Sequence, residues 1–252
     1  MSKQRQGMSN GVAIVVCTTV LATMGVHSAR GHAFRNPPGS AEALALDGAK
    51  SVMVDDASAI SVNPANLADI DRPTVSISLT LIEADASFTS TNGVVANAQN
   101  TLKTLANLYA ATPLGDGDIV FGLGITTPYG QSVEWAKESR LPYFTEMFLV
   151  DIAPTLATRL SDSVSVGAGL DIYYSELELR NLVDWVPGNP AAAGTAEFRG
   201  DGMAMGGTLG LTWDVTEEQH AALVYHSPFS IDYEGTAEFS AVPASLAALG
   251  IR

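Results

Sequence analysis

The sequence predicts an all-β fold, an antiparallel transmembrane β-barrel. The chain would supply about six spanning strands, fewer than the at least eight an isolated barrel needs to close, and so part of a larger barrel. Three observations carry this expectation. Long stretches alternate strictly between apolar and small or polar residues, the periodicity of a strand with two unlike faces. An export leader opens the chain. Connectors alternate between short turns and long insertions, as they do in outer-membrane barrels.

The leader is residues 1–33. Lys3 and Arg5 precede an uncharged apolar stretch, Gly11 to Val26, and Gly31-His32-Ala33 places small residues at the −3 and −1 positions of a cleavage site. That stretch falls short of the roughly 20 residues a membrane helix needs. Cys17 lies within it and follows Val16, so a lipoprotein is not indicated. Cleavage after Ala33 would remove the chain's one cysteine, which excludes disulfides and thiolate chemistry from the mature protein. It would also remove Lys3, Arg5 and Arg30 and no acid, making the mature chain more acidic than the −14 of the full sequence. Such a charge repels nucleic acid.

Residues 55–73 begin with Asp55-Asp56 and contain Asn63-Pro64-Ala65 and Pro73. Either aspartate is suited to cap a short helix. Pro64 limits that helix, and Asn63, standing before proline, is biased toward extended backbone. The strands follow. Val75, Ile77, Leu79 and Leu81 share one face, opposite Ser76, Ser78 and Thr80. Ile119, Phe121, Leu123 and Ile125 repeat the pattern, as do Phe148, Val150, Ile152, Pro154 and Leu156. From 163 to 175, Val164 through Tyr174 form the apolar set against Ser163, Ser165, Gly167, Gly169, Asp171, Tyr173 and Ser175. From 203 to 214, Met203 through Trp213 oppose Ala204, Gly206, Thr208, Gly210, Thr212 and Asp214. These runs approach the roughly 9–11 residues of a tilted spanning strand, and two of the apolar faces end in an aromatic, as an interfacial girdle requires.

Short turns at 159–162 and 216–219 contrast with long polar or helical insertions at 90–112, 131–144 and 181–200. Within the first insertion Leu102, Leu105, Leu108 and Tyr109 have helical spacing. No catalytic constellation is visible. His220 and His226 share a strand face without a third ligand, no serine sits in a Gly-x-Ser-x-Gly turn, and the glycine runs at 167–169 and 206–210 lack a phosphate-loop lysine. Those glycines suit close packing of lumen side chains or of an internal segment. Arg180 and Arg199 are cations near a long loop, but parity puts Arg180 on the outward face. The expectation is a protein that is not an enzyme, with no cofactor and no metal.

Taken in order, Asp55-Asp56-Ala57-Ser58, Asn63-Pro64-Ala65, Asp71-Arg72-Pro73-Thr74, Gly122-Leu123-Gly124, Pro128-Tyr129-Gly130, Ser165-Val166-Gly167-Ala168-Gly169 and Ile231-Asp232-Tyr233-Glu234-Gly235 resemble the long-chain fatty-acid outer-membrane transporter (FadL-like) family. The resemblance covers almost the whole mature chain and implies a fourteen-stranded barrel, of which this chain would be a C-terminally truncated portion. It implies a hatch inside the lumen over 34–70 containing Asn63, Pro64 and Ala65, with 71–252 as the N-terminal part of the barrel. It further implies a kinked strand and lateral opening at Pro128, Tyr129 and Gly130. The implied function is passive uptake of long-chain fatty acids or other hydrophobic compounds by a monomer across the bacterial outer membrane, with release sideways into its lipid. A general porin and a structural surface barrel are the alternatives.

Overall fold

The computed structural model describes residues 35–46, 50–91, 93–99, 101–136, 142–186 and 193–244. The expected leader and its cleavage site lie outside the described residues, as do parts of the expected insertions at 131–144 and 181–200. Eleven strands are described: β1 (Thr74–Glu83), β2 (Ser87–Thr89), β3 (Val95–Asn97), β4 (Leu102–Leu114), β5 (Ile119–Thr126), β6 (Gly130–Glu134), β7 (Phe144–Ser161), β8 (Val164–Asp184), β9 (Ala193–Thr216), β10 (Gln219–His226) and β11 (Glu234–Phe239). Seven of them form one antiparallel path, β1-β4-β5-β7-β8-β9-β10, with β6 added to β7 and β11 to β9. The sheet curls into a half-barrel. β2 and β3 pair separately.

Each alternating face falls where the periodicity puts it. Ile77 is 78% exposed and Met205 68% exposed on the outward face, while Ala153 and Ala157 are buried on the inward one. An outward face so apolar is stable in lipid and unfavourable in water. Tight turns close β4–β5, β7–β8 and β9–β10 at one end of the sheet. β8 and β9 run 21 and 24 residues, past the bilayer-crossing stretch, so most of the 181–200 insertion is an extension of this hairpin. The 131–144 insertion likewise contains β6 and the start of β7.

One reading is overturned. Residues 102–112 are not helical; they are the greater part of β4, the second strand of the path, which brings its count to seven where six were expected, and are paired in register with β1 from Thr74↔Ala111 to Glu83↔Leu102. Leu102 and Leu108 point outward with Thr104, Ala106 and Ala110, whereas Leu105 and Tyr109 point inward. Leucines on both faces produced a spacing of three by coincidence. The connection between β1 and β4 is therefore 84–101.

The segment before β1 lies against the inner face. It contains α1 (Ala41–Ala45), α2 (Ala59–Val62) and a 3-10 turn at Pro64–Asp69. Asp56 caps the turn entering α2, its Oδ1 accepting the Ser58 N–H at 2.7 Å. Val54, Ile60, Leu67 and Ile70 pack on Tyr109, Ala111, Val120, Ala153 and Ala157 of the wall to make the core. Burying side chains the size of Ile60 and Leu67 contributes about 2 kcal/mol each. The wall accommodates them because its facing residues are small: a Cβ on Gly122 would lie 2.9 Å from both Ile60 Cδ1 and Leu67 Cδ1.

Candidate functional site

Asn63 is completely buried and joins three parts of the chain. Its backbone is extended, as its place before Pro64 predicts, and Pro64 occupies the first turn of the 3-10 segment, where a missing N–H costs nothing. The Asn63 Oδ1 accepts the Ala65 N–H at 3.1 Å, which caps that turn. Its Nδ2 donates to the Ser51 carbonyl at 2.7 Å and to Thr212 Oγ1, on β9, at 2.8 Å. The Thr212 hydroxyl donates onward to Asn66 Oδ1 at 2.6 Å. Thr212 is thus gripped by two asparagines of the N-terminal segment. Beside this contact the wall presents glycines: a Cβ on Gly167 would lie 2.5 Å from the Pro64 carbonyl oxygen and 2.6 Å from Ala65 N. One on Gly210 would lie 2.8 Å from Pro64 Cδ.

Pro128, Tyr129 and Gly130 sit where the wall is interrupted. β5 and β6 both pair with β7, and their registers disagree by one residue. Thr126 faces Asp151 and Gly130 faces Phe148, so Thr127, Pro128 and Tyr129 stand opposite only Leu149 and Val150. This is a bulge, and Pro128, which has no N–H to give a ladder, sits at its centre. The backbone groups it releases find other partners. Asn36 donates its N–H to the Pro128 carbonyl at 2.9 Å and its Nδ2 to the Thr127 carbonyl at 2.7 Å. Thr127 N–H reaches Asn107 Oδ1 at 3.1 Å, and Arg35 bridges to Tyr129.

Past the interruption, β4 stays with β1 and β6 stays with β7. Among the described residues no ladder joins β4 to β6, although β4 and β5 are paired from Leu108 to Leu114. The far end of this separation is closed by Gln99, whose N–H donates to the Glu134 carbonyl at 2.8 Å, and by the Ala98–Trp135 bridge.

Beside the interruption is a cavity of about 540 Å³ between the N-terminal segment and the wall. Tyr109, Tyr129, Tyr173 and Phe229 line it together with Arg35, Asn107, Asp151, Asp171 and His226. Phe229 belongs to residues 227–233, which separate β10 from β11. Its ring stacks on Tyr173 at 3.9 Å between centroids and meets the edge of Tyr129 at 5.9 Å. Asp171 Oδ2 accepts from the Thr208 hydroxyl at 2.8 Å. With that proton committed, Thr208 accepts from His226 Nδ1 at 2.9 Å. Tyr109, also completely buried, shares a 3.1 Å hydrogen bond with Ser61.

The expected site residues thus fall into two clusters, Asn63-Pro64-Ala65 under β8 and β9 and Pro128-Tyr129-Gly130 at the edge of the cavity. Asn36 and Phe229, which complete the second cluster, carry no signal in the local sequence. Arg180 and Arg199 stay away from it; both bond to Glu178, and Arg180 also lies over the Phe144 ring at 4.6 Å. His220 pairs with Asp214 rather than with His226, and no group of three metal-ligating side chains occurs among the described residues.

The sequence is 26% identical to a long-chain fatty acid transport protein of Escherichia coli O6:H1 (strain CFT073), over 77% of this chain and 49% of that protein. It is 28% identical to a putative outer membrane protein of Neisseria meningitidis serogroup B, over 94% of this chain and 57% of that one. The chain spans about half the length of the curated relatives it matches. Among solved structures, a Pseudomonas aeruginosa FadL homologue matches with TM-score 0.67 and 18% identity, covering 86% of this chain and 58% of that one. The P. putida toluene transporter TodX matches with TM-score 0.66 and 19% identity, covering 81% of this chain and 59% of that one. These two show the shared barrel fold. The profile of the family described as outer membrane protein transport protein (OMPP1/FadL/TodX) matches residues 20–252, nearly all of the half-barrel and the segment inside it, and the chain belongs to that family of bacterial outer-membrane proteins.

Proposed function

We propose that the protein takes up hydrophobic compounds, long-chain fatty acids or hydrocarbons among them, passively across the outer membrane and releases them sideways into its lipid. In this reading residues 1–33 are the leader, 34–70 the hatch with its Asn63-Pro64-Ala65 wedge, and 71–252 the barrel wall of a monomer. The observation that carries it is the interruption at Thr127–Tyr129. It separates β4 from β6 and lies beside a cavity whose lining includes Pro128 and Tyr129. An apolar solute leaving by that route would pass from protein to hydrocarbon without crossing water, which the hydrophobic effect favours. A general porin needs an open aqueous lumen, and Ile60, Leu67 and their neighbours fill the wall's inner face instead.

The register offers a direct test. Deleting Pro128 removes the extra residue, so β5 and β6 can join as one continuous strand along β7. The expected result is a protein that still reaches the outer membrane, binds ligand and has lost uptake of labelled oleate and toluene. Uptake at the unaltered rate by a variant whose strand is shown to be continuous would refute lateral release.

A further inference from the structure

The cavity is more acidic and more aromatic than a passage for fatty acids requires. Cross-strand registers place Asp151 between Thr126 of β5 and Tyr173 of β8 on the inner face. Paired residues on neighbouring antiparallel strands lie about 5 Å apart, so this carboxylate is adjacent to the Tyr173–Phe229 stack. Its Oδ1 is buried and has no hydrogen-bond partner. A buried acceptor left unpaired is costly, and a donor that reaches it gains accordingly. The second carboxylate, Asp171, already holds the Thr208 hydroxyl. Against these two acids the cavity lining contains a single arginine, Arg35, and no lysine.

We infer that this cavity binds hydrophobic molecules bearing a neutral hydroxyl, alkylphenols in particular, in preference to carboxylates of the same apolar size. The inference rests on the reading of the cavity as the ligand site of the transporter. The aromatic ring of such a molecule extends the Tyr129–Phe229–Tyr173 cluster by stacked or edge contacts. Its hydroxyl donates to Asp151 Oδ1. A carboxylate in the same place offers acceptors to an acceptor and leaves Asp151 Oδ1 unpaired.

The test is calorimetric titration of the purified, detergent-solubilised outer-membrane protein with para-heptylphenol, para-heptylbenzoate and heptylbenzene at neutral pH. The phenol should bind about tenfold more tightly than the benzoate, the size of one hydrogen bond to a carboxyl oxygen. Asp151→Ala should abolish that preference, bringing phenol and benzoate to within about twofold of each other. Asp151→Leu, which keeps the side-chain volume while removing the acceptor, should do the same where the alanine variant does not fold. Benzoate binding as tightly as phenol overturns the inference, as does a preference that survives both substitutions. Heptylbenzene binding without phenol preference would overturn this inference alone; failure of all three probes to bind would overturn the transport reading with it.

Discussion

Adding one methyl group to the inside of the wall should unseat the hatch. In Gly167→Ala the new Cβ would stand 2.5 Å from the Pro64 carbonyl oxygen and 2.6 Å from Ala65 N. Ordinary heavy-atom contacts are about 3.5–4.0 Å, so the wedge must retreat by about 1 Å. It cannot do so by rotating a side chain, because the atoms in the way are backbone. A retreat of that size breaks both hydrogen bonds to Thr212, from Asn63 at 2.8 Å and to Asn66 at 2.6 Å. At about 1 kcal/mol each, with the lost packing around Leu67 added, the hatch loses about 2–4 kcal/mol of its hold on the wall. Trypsin reports this through Lys50, which is 3% exposed and so protected while the hatch is seated. Cleavage that follows the opened population should accelerate by about thirtyfold or more. The barrel itself should stay folded and heat-modifiable in electrophoresis. Gly207→Ala on the outward face is the control, since its Cβ would meet only the Gly169 carbonyl at 3.6 Å. Cleavage after Lys50 in Gly167→Ala at the wild-type rate would refute the wedge geometry.

Three further outcomes are expected. Ile77→Arg, at the middle of β1 and 78% exposed, should cost about 2–4 kcal/mol in equilibrium folding into bilayers, whereas Ile77→Leu should be neutral. Tyr109→Phe should weaken hatch protection by only about 1 kcal/mol, because Ser61 keeps its 3.1 Å bond to the Ser58 carbonyl when the phenol is lost. Its tryptic rate should therefore lie between wild type and Gly167→Ala. Mass spectrometry of the exported protein should find Phe34 at the N-terminus, and an intact 1–33 segment would refute the leader.

The outward faces were legible in the sequence because lipid imposes one rule on every second residue. Val75 through Leu81 and Val164 through Tyr174 obey it without exception, and the register confirms each parity. β4 escaped because Leu105 and Tyr109 lie on the inward face, Tyr109 in the core, so its apolar residues no longer alternate. Pro128 announced a break but not what happens there. The partners of the broken ladder, Asn36 and Asn107, come from other elements, and only the three-dimensional register shows that a single extra residue causes it. The inward glycines were readable as close-packing positions. Which atoms they admit was not, since Gly167 and Gly210 are shaped to Asn63 and Pro64 from more than 100 residues away.

The Asn63–Thr212 bond also sets an order of events. Its partners are 149 residues apart in the chain, whereas β7, β8, β9 and β10 each pair with the strand just before them across a short connection. Closing a long loop costs more entropy than closing a hairpin, and the contact offers nothing until β9 is in place. The polar grip on Thr212 therefore forms only once the wall has reached β9, although β4, β5 and β7 already offer the hatch an apolar surface. The hatch is thus held in two stages, its apolar side chains by the earlier strands and its asparagines by a strand that arrives later.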